Sequence, residues 1–252
     1  MDYDFLFCTV TTSTQTRSSV PGCASNSCHA FSGNQGILHR TAHAFTLIEL
    51  AVIILVLILI VVAFIPGLSM GKRMSLRKDC VNNLKRVGLA YRTFSLNGGD
   101  LYAGAIEVKD GGTQEYLAAG QLNLHYRTLS NQLTTPKILV CPADAEKTVA
   151  TSFGPGFSDT NASYFASMNA SESYPQTILS GDRNLALAGR SLAPGSVTLV
   201  TNPPTPLLWT KKIHPFCGNV GLADGSVQMF DDKQLTNAIH YQGIPTNRLV
   251  LP

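Results

Sequence analysis

A single carboxylate lies inside a long apolar run, and its position suggests a specific chemistry. Residues 45–66 are apolar except for Thr46 and Glu49. A charged residue costs about 2.5–3.5 kcal/mol at the centre of a membrane helix and less towards its end, so Glu49 needs a compensating charge. Cleavage before Phe45 would create an α-amine beside the run, and the Glu49 of a neighbouring copy could pair with it. Such pairing would set the axial register of stacked helices.

Other polar residues could support catalysis or metal binding. His214, Asp182 and Asp144 are of the types that join a serine in a hydrolase or hold a metal ion, but nothing in their spacing brings them together. The G-x-S-x-G string at residues 67–71 directly follows the apolar run and lacks the preceding strand that a nucleophilic serine needs. We predict no catalytic residues, no metal site, no cofactor and no enzymatic activity. Metal binding stays the alternative reading of His214.

The apolar run predicts a membrane-spanning helix over residues 45–66. Fifteen uninterrupted apolar residues extend from Ala51 to Ile65, and 22 helical residues span about 33 Å, the thickness of a bilayer core. The run is too long for a secretory signal peptide and lacks a small-x-small cleavage site at its end. Residues 1–44 are rich in Ser, Thr, Asn, Gly and His, which predicts a disordered leader that is removed.

A second helical pattern, over residues 67–98, continues beyond Pro66. Its apolar residues recur at spacings of four, three, four and three and so share one helix face: Cys80, Leu84, Val87, Tyr91 and Phe94. Asn97-Gly98-Gly99 is typical of a helix end. We therefore expect one long N-terminal helical spine, with a membrane half and an amphipathic half.

Residues 99–252 predict a β-rich globular domain. Short apolar segments alternate with Gly, Pro, Asn and Asp, which favours an antiparallel sheet. The predicted strands lie around Ile138–Val140, Ser163–Phe165, Thr177–Leu179, Val197–Thr201, Leu207–Thr210 and Val220–Phe230. In the last segment, Asp224-Gly225 matches a two-residue hairpin turn, and we expect His214 to pack near it. The predicted fold class is α+β, with the helical spine packed on a small sheet.

Charge and cysteines add two expectations. The net charge is +3 and no basic face with interleaved aromatic residues is apparent, so we predict no nucleic-acid partner. Cys80 lies on the apolar helix face, while Cys141 and Cys217 lie in or beside the sheet. Thiols on the outer side of a membrane can oxidise. We predict a disulfide between Cys80 and Cys141 that ties the spine to the globular domain.

The segment Ala44-Phe45-Thr46-Leu47-Ile48-Glu49-Leu50 resembles the type IV prepilin cleavage and methylation motif, with Ala44 where that motif usually has glycine. The resemblance implies that a membrane peptidase cuts between Ala44 and Phe45 and methylates the new amine of Phe45. It implies that Glu49 is the assembly glutamate and that Pro66 is the proline often found at that distance along pilin helices.

The remainder resembles a pseudopilin-like group, found in planctomycetes and verrucomicrobia, that ends in a His-x9-Asp-Gly pattern. Here the pattern is His214 followed by Asp224 and Gly225. Val81-Asn-Asn-Leu-Lys, Cys141-Pro-Ala-Asp144, Ser180-Gly-Asp-Arg-Asn184 and Asn247-Arg-Leu also resemble segments of that group. The resemblance covers nearly all of the chain from Phe45 onwards and implies an α+β pilin fold.

These features predict a structural subunit of a type IV pilus-like or type II secretion pseudopilus filament. Its expected partners are a prepilin peptidase, other pilin or pseudopilin subunits, an assembly platform and the membrane. The expected location is the bacterial inner membrane, as a single-pass protein with its C-terminal domain in the periplasm, and then a periplasmic or extracellular filament. The alternative is a membrane-tethered periplasmic binding module or enzyme that uses the helix only as an anchor.

Overall fold

The protein has an α+β fold with an antiparallel sheet, as the sequence predicts. The structure, a computed structural model, describes residues 46–97 and 99–252, without the side chains of residues 63–70 and 73. The predicted leader and Phe45 lie outside these residues. The chain divides into two units, Met1–Ala51 and Val52–Pro252.

The described part of the first unit begins helix α1, which covers Leu47–Asn97. Thr46 caps its start, since the Glu49 amide donates a hydrogen bond to Thr46 Oγ1 at 3.3 Å. A hydroxyl at this position satisfies one of the amides that a helix start leaves without a partner. Glu49 itself is exposed in the first turn of the helix.

In the second unit, the later part of α1 buries one face. Cys80, Leu84, Val87 and Tyr91 are each at most 1% exposed, so the spacing of four, three and four marks the buried face correctly. The helix ends at Asn97, and Gly99 and Asp100 follow with left-handed φ angles of 74° and 63°. Within the residues that the structure describes, no helix is both long and apolar enough to cross a membrane.

Nine strands form two antiparallel sheets in the described residues. In chain order they are β1 (Tyr164–Ser167), β2 (Ile178–Asp182), β3 (Leu185–Leu187), β4 (Arg190–Ser191), β5 (Gly195–Val200), β6 (Leu207–Trp209), β7 (Gly218–Leu222), β8 (Val227–Phe230) and β9 (Thr246–Leu251). The larger sheet has the order β5-β9-β1-β2-β7-β8, and the smaller has the order β4-β3-β6. Most neighbouring strands of the larger sheet are therefore far apart in the sequence.

The larger sheet separates two hydrophobic cores. Successive residues of a strand point to opposite faces of the sheet, and neighbouring residues divide accordingly: Tyr164, Leu179 and Val250 belong to the first core, and Phe165, Ile178 and Leu249 to the second. The first core also contains the buried face of α1. The second contains Leu235 and Ile239 of helix α5 (Asp232–His240) together with Trp209 of the smaller sheet.

Short helices fill the segment between α1 and the first strand. They are α2 (Gln114–Ala118), α3 (Leu122–Thr128) and α4 (Ser130–Leu133). The predicted strand around Ile138–Val140 is wrong, because Pro136–Leu139 form a 3-10 helix. Proline fixes a φ angle that suits a first helical turn, and the Thr135 hydroxyl accepts a hydrogen bond from the Lys137 amide. The other five predicted strand segments each overlap a strand.

Candidate functional site

A disulfide and a histidine meet beneath helix α1. Cys80 of the helix forms a disulfide with Cys141, and their Cα atoms are 5.0 Å apart. Cys141 lies two residues after the end of the 3-10 helix. His214 Nε2 lies 3.6 Å from Cys141 Sγ. The disulfide and His214 are almost completely buried. Cys80 and Cys141 are 61 positions apart along the chain, and Cys141 and His214 are 73 positions apart, so the fold brings distant side chains together.

Asp182, the last residue of β2, adds a buried carboxyl group. Gly181 pairs with Val220 across β2 and β7, which places Asp182 opposite Asn219. Asp182 Oδ2 accepts hydrogen bonds from the Asn219 amide at 2.7 Å and from its side-chain nitrogen at 3.0 Å, whereas Oδ1 has no hydrogen-bond partner among the described residues. Burial raises the pKa of Asp182 to about 7, although the bonds from Asn219 lower it.

His214 faces this carboxyl group as a neutral imidazole. Its Nε2 lies 3.7 Å from Asp182 Oδ2, which is longer than a hydrogen bond. Burial, assisted by the charge of Arg77, lowers the pKa of His214 to about 4. The Asn184 side chain donates to the backbone carbonyls of His214 and Cys217 at 3.5 and 3.3 Å. Asn184, which directly precedes β3, thus holds the loop that carries His214.

An ion-pair network holds the loop after Cys141. Arg183 donates to both carboxylate oxygens of Asp144 at 2.8 Å and also to Glu146 at 2.8 Å. Lys212 reaches the same Glu146 at 3.0 Å, and both cations lower the pKa of Glu146. The network joins the loop at residues 142–146 to the ends of the strands, which fixes the position of Cys141. Asp144 therefore holds this loop through Arg183.

A groove of about 1070 Å³ opens beside His214. The described side chains along it are mostly apolar, and the polar ones include His214, Asn219 and Arg77. Arg77 of α1 donates to Cys217 Sγ at 2.8 Å and to Met229 Sδ at 3.1 Å. Cys217 is a free thiol and is partly buried. The groove gives solvent and small solutes a path to the buried histidine.

His214 and the Asp224-Gly225 pair lie at opposite ends of β7, so the expectation that they pack together is wrong. Arg92 of α1 contacts the Asp224 carbonyl at 3.4 Å, and Tyr102 donates to the Ala223 carbonyl at 2.6 Å. The predicted two-residue turn is also wrong. The Leu222 amide donates to the Ser226 carbonyl, which leaves a three-residue loop with Gly225 at a left-handed φ of 84°.

The remaining predicted site residues belong to the N-terminal part of the chain. Ala44 and Phe45, at the predicted cleavage position, lie outside the described residues. Glu49 is exposed in α1. Pro66 lies within the bounds of the same helix, and nothing is described of its side chain.

Sequence reasoning missed the residues that surround His214. Arg77, Asn219 and Asn184 lie in different elements, and each reaches the cluster through tertiary contacts. Asp182 is 37 positions from Asn219 along the chain, and the pairing of β2 with β7 places the two residues opposite each other. A polar Asn inside a buried strand was the available signal, because a buried amide needs hydrogen-bond partners.

Comparison with known proteins gives no family assignment. No family model, no curated protein and no solved structure matches this chain. The residues of the chain itself are therefore the grounds on which a function can be assigned.

Proposed function

We propose that this protein is a structural subunit that assembles through helix α1 into a type IV pilus-like or type II secretion pseudopilus filament. The observation that carries the proposal is the exposure of the apolar start of α1. From Leu47 to Val62 its large apolar side chains are 42–88% exposed. So large an exposed apolar surface is unfavourable in water and marks a contact with lipid or protein.

The apolar surface surrounds the helix on every side. A helix that is apolar all round belongs in a membrane or in a protein core. Leu57, Ile58, Leu59 and Ile60 cover a full helical turn, and each is at least 46% exposed. Contact with several neighbouring helices, or with lipid before assembly, would cover this surface completely.

Glu49 supports assembly over simple anchoring. A membrane anchor gains nothing from a carboxylate in its first turn, and the charge costs free energy in lipid. In the described residues Glu49 has no ion-pair partner within its own chain. The amine of a cleaved and methylated Phe45 in an adjacent copy would provide one.

The partners and location follow from this proposal. A prepilin peptidase would cut between Ala44 and Phe45, and an assembly platform would add the subunit to other pilin or pseudopilin subunits. The subunit would wait in the bacterial inner membrane with its C-terminal domain in the periplasm. An oxidising compartment of this kind is where structural disulfides such as Cys80–Cys141 persist.

Replacement of Glu49 tests the proposal. A photoreactive amino acid at Leu57, which is 55% exposed, should cross-link neighbouring copies in membranes. We expect Glu49→Ala and Glu49→Gln to reduce this cross-linking at least tenfold while membrane insertion is unchanged. Glu107→Ala serves as the control, because Glu107 is an exposed carboxylate on the globular part. Undiminished cross-linking in both Glu49 variants would contradict the proposal.

Mass spectrometry of the mature N-terminus gives an independent test. The proposal predicts a chain that begins with N-methylated Phe45. A chain that retains Ala44 or begins elsewhere would remove the amine with which Glu49 is proposed to pair.

The groove beside His214 favours one second candidate, a membrane-tethered binding module. The groove is large enough for a small ligand, and its lining combines apolar side chains with a few polar groups. An anchored binding module has no use for Glu49. This alternative would be favoured if the Glu49→Ala variant still bound a small ligand in the groove and no Glu49 variant lost inter-subunit cross-linking.

A further inference from the structure

The side chains around the Cys80–Cys141 disulfide are of the types that bind zinc. Zinc in proteins prefers thiolate sulfur and imidazole nitrogen, usually with four ligands in a tetrahedron. Sγ of Cys80, Sγ of Cys141 and a ring nitrogen of His214 all lie within 4.8 Å of one another. A disulfide sulfur has no negative charge and is a poor ligand, so the oxidised protein offers only the histidine.

We propose that Cys80, Cys141 and His214 bind a zinc ion when the disulfide is reduced, with Asp182 as the fourth ligand. His214 Nε2 is 3.6 Å from Cys141 Sγ, which suits a tetrahedral site. Asp182 lies outside the group of three residues whose ligand atoms are within 4.8 Å of one another, although its Oδ2 is 3.7 Å from His214 Nε2, so its carboxyl group would have to move towards the ion. Ligand atoms bound to one zinc ion at its usual bond lengths are about 3.3–3.8 Å apart. Reduction would free the two sulfurs to separate to the distance found between two thiolates on one zinc ion.

A second observation, at Asp182, also points to a ligand. This residue is completely buried, and its Oδ1 has no hydrogen-bond partner among the described residues. A buried carboxylate oxygen without a partner is unfavourable, so Oδ1 would be the oxygen that binds the ion. Asn219 donates two hydrogen bonds to Oδ2, which would orient the carboxylate in the way that outer hydrogen bonds orient metal ligands.

The charges and the access path are compatible with an ion. Two thiolates, one carboxylate and one zinc ion carry a net charge of −1. The guanidinium of Arg77 interacts electrostatically with both Asp182 and His214, so it would offset this charge. His214 and Asn219 line the groove, which gives an ion a route from solvent.

The disulfide is reduced first, and zinc then binds the two thiols. A phosphine reductant breaks the S–S bond and is oxidised to the phosphine oxide with the oxygen of water, while the two hydrogens of water end on the sulfurs. Zinc then displaces both thiol protons, which pass to the buffer, and forms two Zn–S bonds. In a cell, a dithiol would supply the two electrons and become a disulfide. The site would thus hold either a disulfide or a zinc ion.

Cobalt binding tests the proposal on the full-length chain in detergent. The background carries Cys8→Ser, Cys23→Ser and Cys28→Ser, because these thiols could bind metal on their own. After phosphine reduction, we expect one Co²⁺ per chain, with sulfur-to-cobalt charge transfer in the near ultraviolet and the visible bands of tetrahedral cobalt. Zinc should displace the cobalt. The oxidised protein should show neither set of bands.

Variants identify the ligands. His214→Ala should weaken cobalt binding at least tenfold, and Asp182→Asn should shift the visible bands and weaken binding. Cys217→Ser is the matched control, because Cys217 is a thiol beside the groove but outside the cluster; its cobalt binding should be unchanged. Cobalt binding of equal strength in the wild type and in His214→Ala would overturn the proposal.

The Tm of the reduced protein gives a second test, which can be measured even if reduction lowers the stability of the fold. Zinc that binds the folded chain must raise its Tm, so excess zinc should raise the Tm of the reduced protein. It should not raise that of the Cys80→Ser/Cys141→Ser double variant. Absence of a zinc-dependent rise in the reduced protein would overturn the proposal.

Discussion

Two parts of helix α1 differ in what surrounds them. Residues 52–62 leave their large apolar side chains at least 42% exposed, whereas Cys80, Leu84, Val87 and Tyr91 are at most 1% exposed. Both parts are helical and rich in apolar residues. The later part places its apolar residues on one face, which the globular part of the same chain covers. The earlier part is apolar on all sides, so packing of one of its faces against the same chain would leave the other faces exposed.

The difference shows that hydrophobicity and burial within one chain are separate properties. The later part of α1 contributes to the stability of the folded domain, because its side chains leave water when the chain folds. The earlier part contributes little to that stability and would gain its free energy only from lipid or from neighbouring copies. Variants in the later part should therefore change the free energy of unfolding, and variants in the earlier part should change the association of copies in the membrane.

Loss of the disulfide should give the largest effect on the later part. The bond joins residues 61 positions apart, and closing a loop of this length restricts the unfolded chain by about 4 kcal/mol. We expect Cys80→Ser with Cys141→Ser to lower the free energy of unfolding by about that amount. Denaturation with a chelator present can be followed through Trp209, the single, buried tryptophan. Cys217→Ser should cost far less, and an equal loss in that control would contradict the prediction.

Truncation of one leucine in each part compares them directly. Leu84 is 1% exposed and lies against Gly221 of β7, so Leu84→Ala should cost about 3 kcal/mol through lost contacts and a cavity. Leu57 is 55% exposed, so Leu57→Ala should change the unfolding free energy by less than about 0.5 kcal/mol. The same denaturant titration measures both. A similar cost for the two variants would remove the proposed distinction.

Acid should destabilise the contact between α1 and α3. His125 is buried between Tyr91 at 2.6 Å and Thr113 at 2.7 Å, and burial lowers its pKa from 6.5 to about 3. The unfolded chain therefore binds the proton more readily, and the stabilisation is present above pH 6.5 and is lost as the pH falls towards 3. The loss should approach about 1.4 kcal/mol per pH unit.

A His125→Gln variant isolates this effect from other titrating groups. The wild type should be the more stable of the two at pH 8, and the gap should narrow as the pH falls below 6.5. Unfolding titrations at several pH values measure the gap. A gap that stays constant from pH 8 to pH 4.5 would show that His125 does not titrate differently in the two states.

Within the later part, its exposed face should give the smallest effect. Arg92 forms an ion pair with Glu172 at 3.7 Å, and about half of the Arg92 side chain is exposed. Solvent and salt screen such pairs, so Arg92→Ala should cost no more than about 1 kcal/mol. The cost should decrease further at high salt. A loss as large as that of Leu84→Ala would mean that this face is not a solvent-exposed one.

The local parts of the fold could be predicted from the sequence, and the long-range parts could not. The buried face of α1 follows from its spacing because a helix repeats every 3.6 residues. The strand expected around Ile138–Val140 is wrong because Pro136 and its neighbour Thr135 favour a helical turn. Strand β9 lies between β5 and β1 in the larger sheet, and no local pattern indicates that neighbourhood.

The candidate site illustrates the same limit. Cys80, Cys141 and His214 lie in three separate segments, and their proximity depends on the packing of α1 against the sheet and on the pairing of β2 with β7. Composition and spacing contain no information on that register, because strand pairing depends on contacts between distant residues. The sequence did single out each of these three residues, but it placed His214 beside the hairpin at Asp224 and not beside the two cysteines.

The disulfide also has a mechanical consequence. In a filament, subunits are pulled through the part of the chain by which they are held, which is the start of α1 under the proposal above. Such tension would reach the globular part at Cys80, through the covalent bond to Cys141, at a point before most of the buried face of the helix. Peeling of α1 from the domain would then require a bond to break, so the oxidised subunit should withstand larger forces than the reduced one.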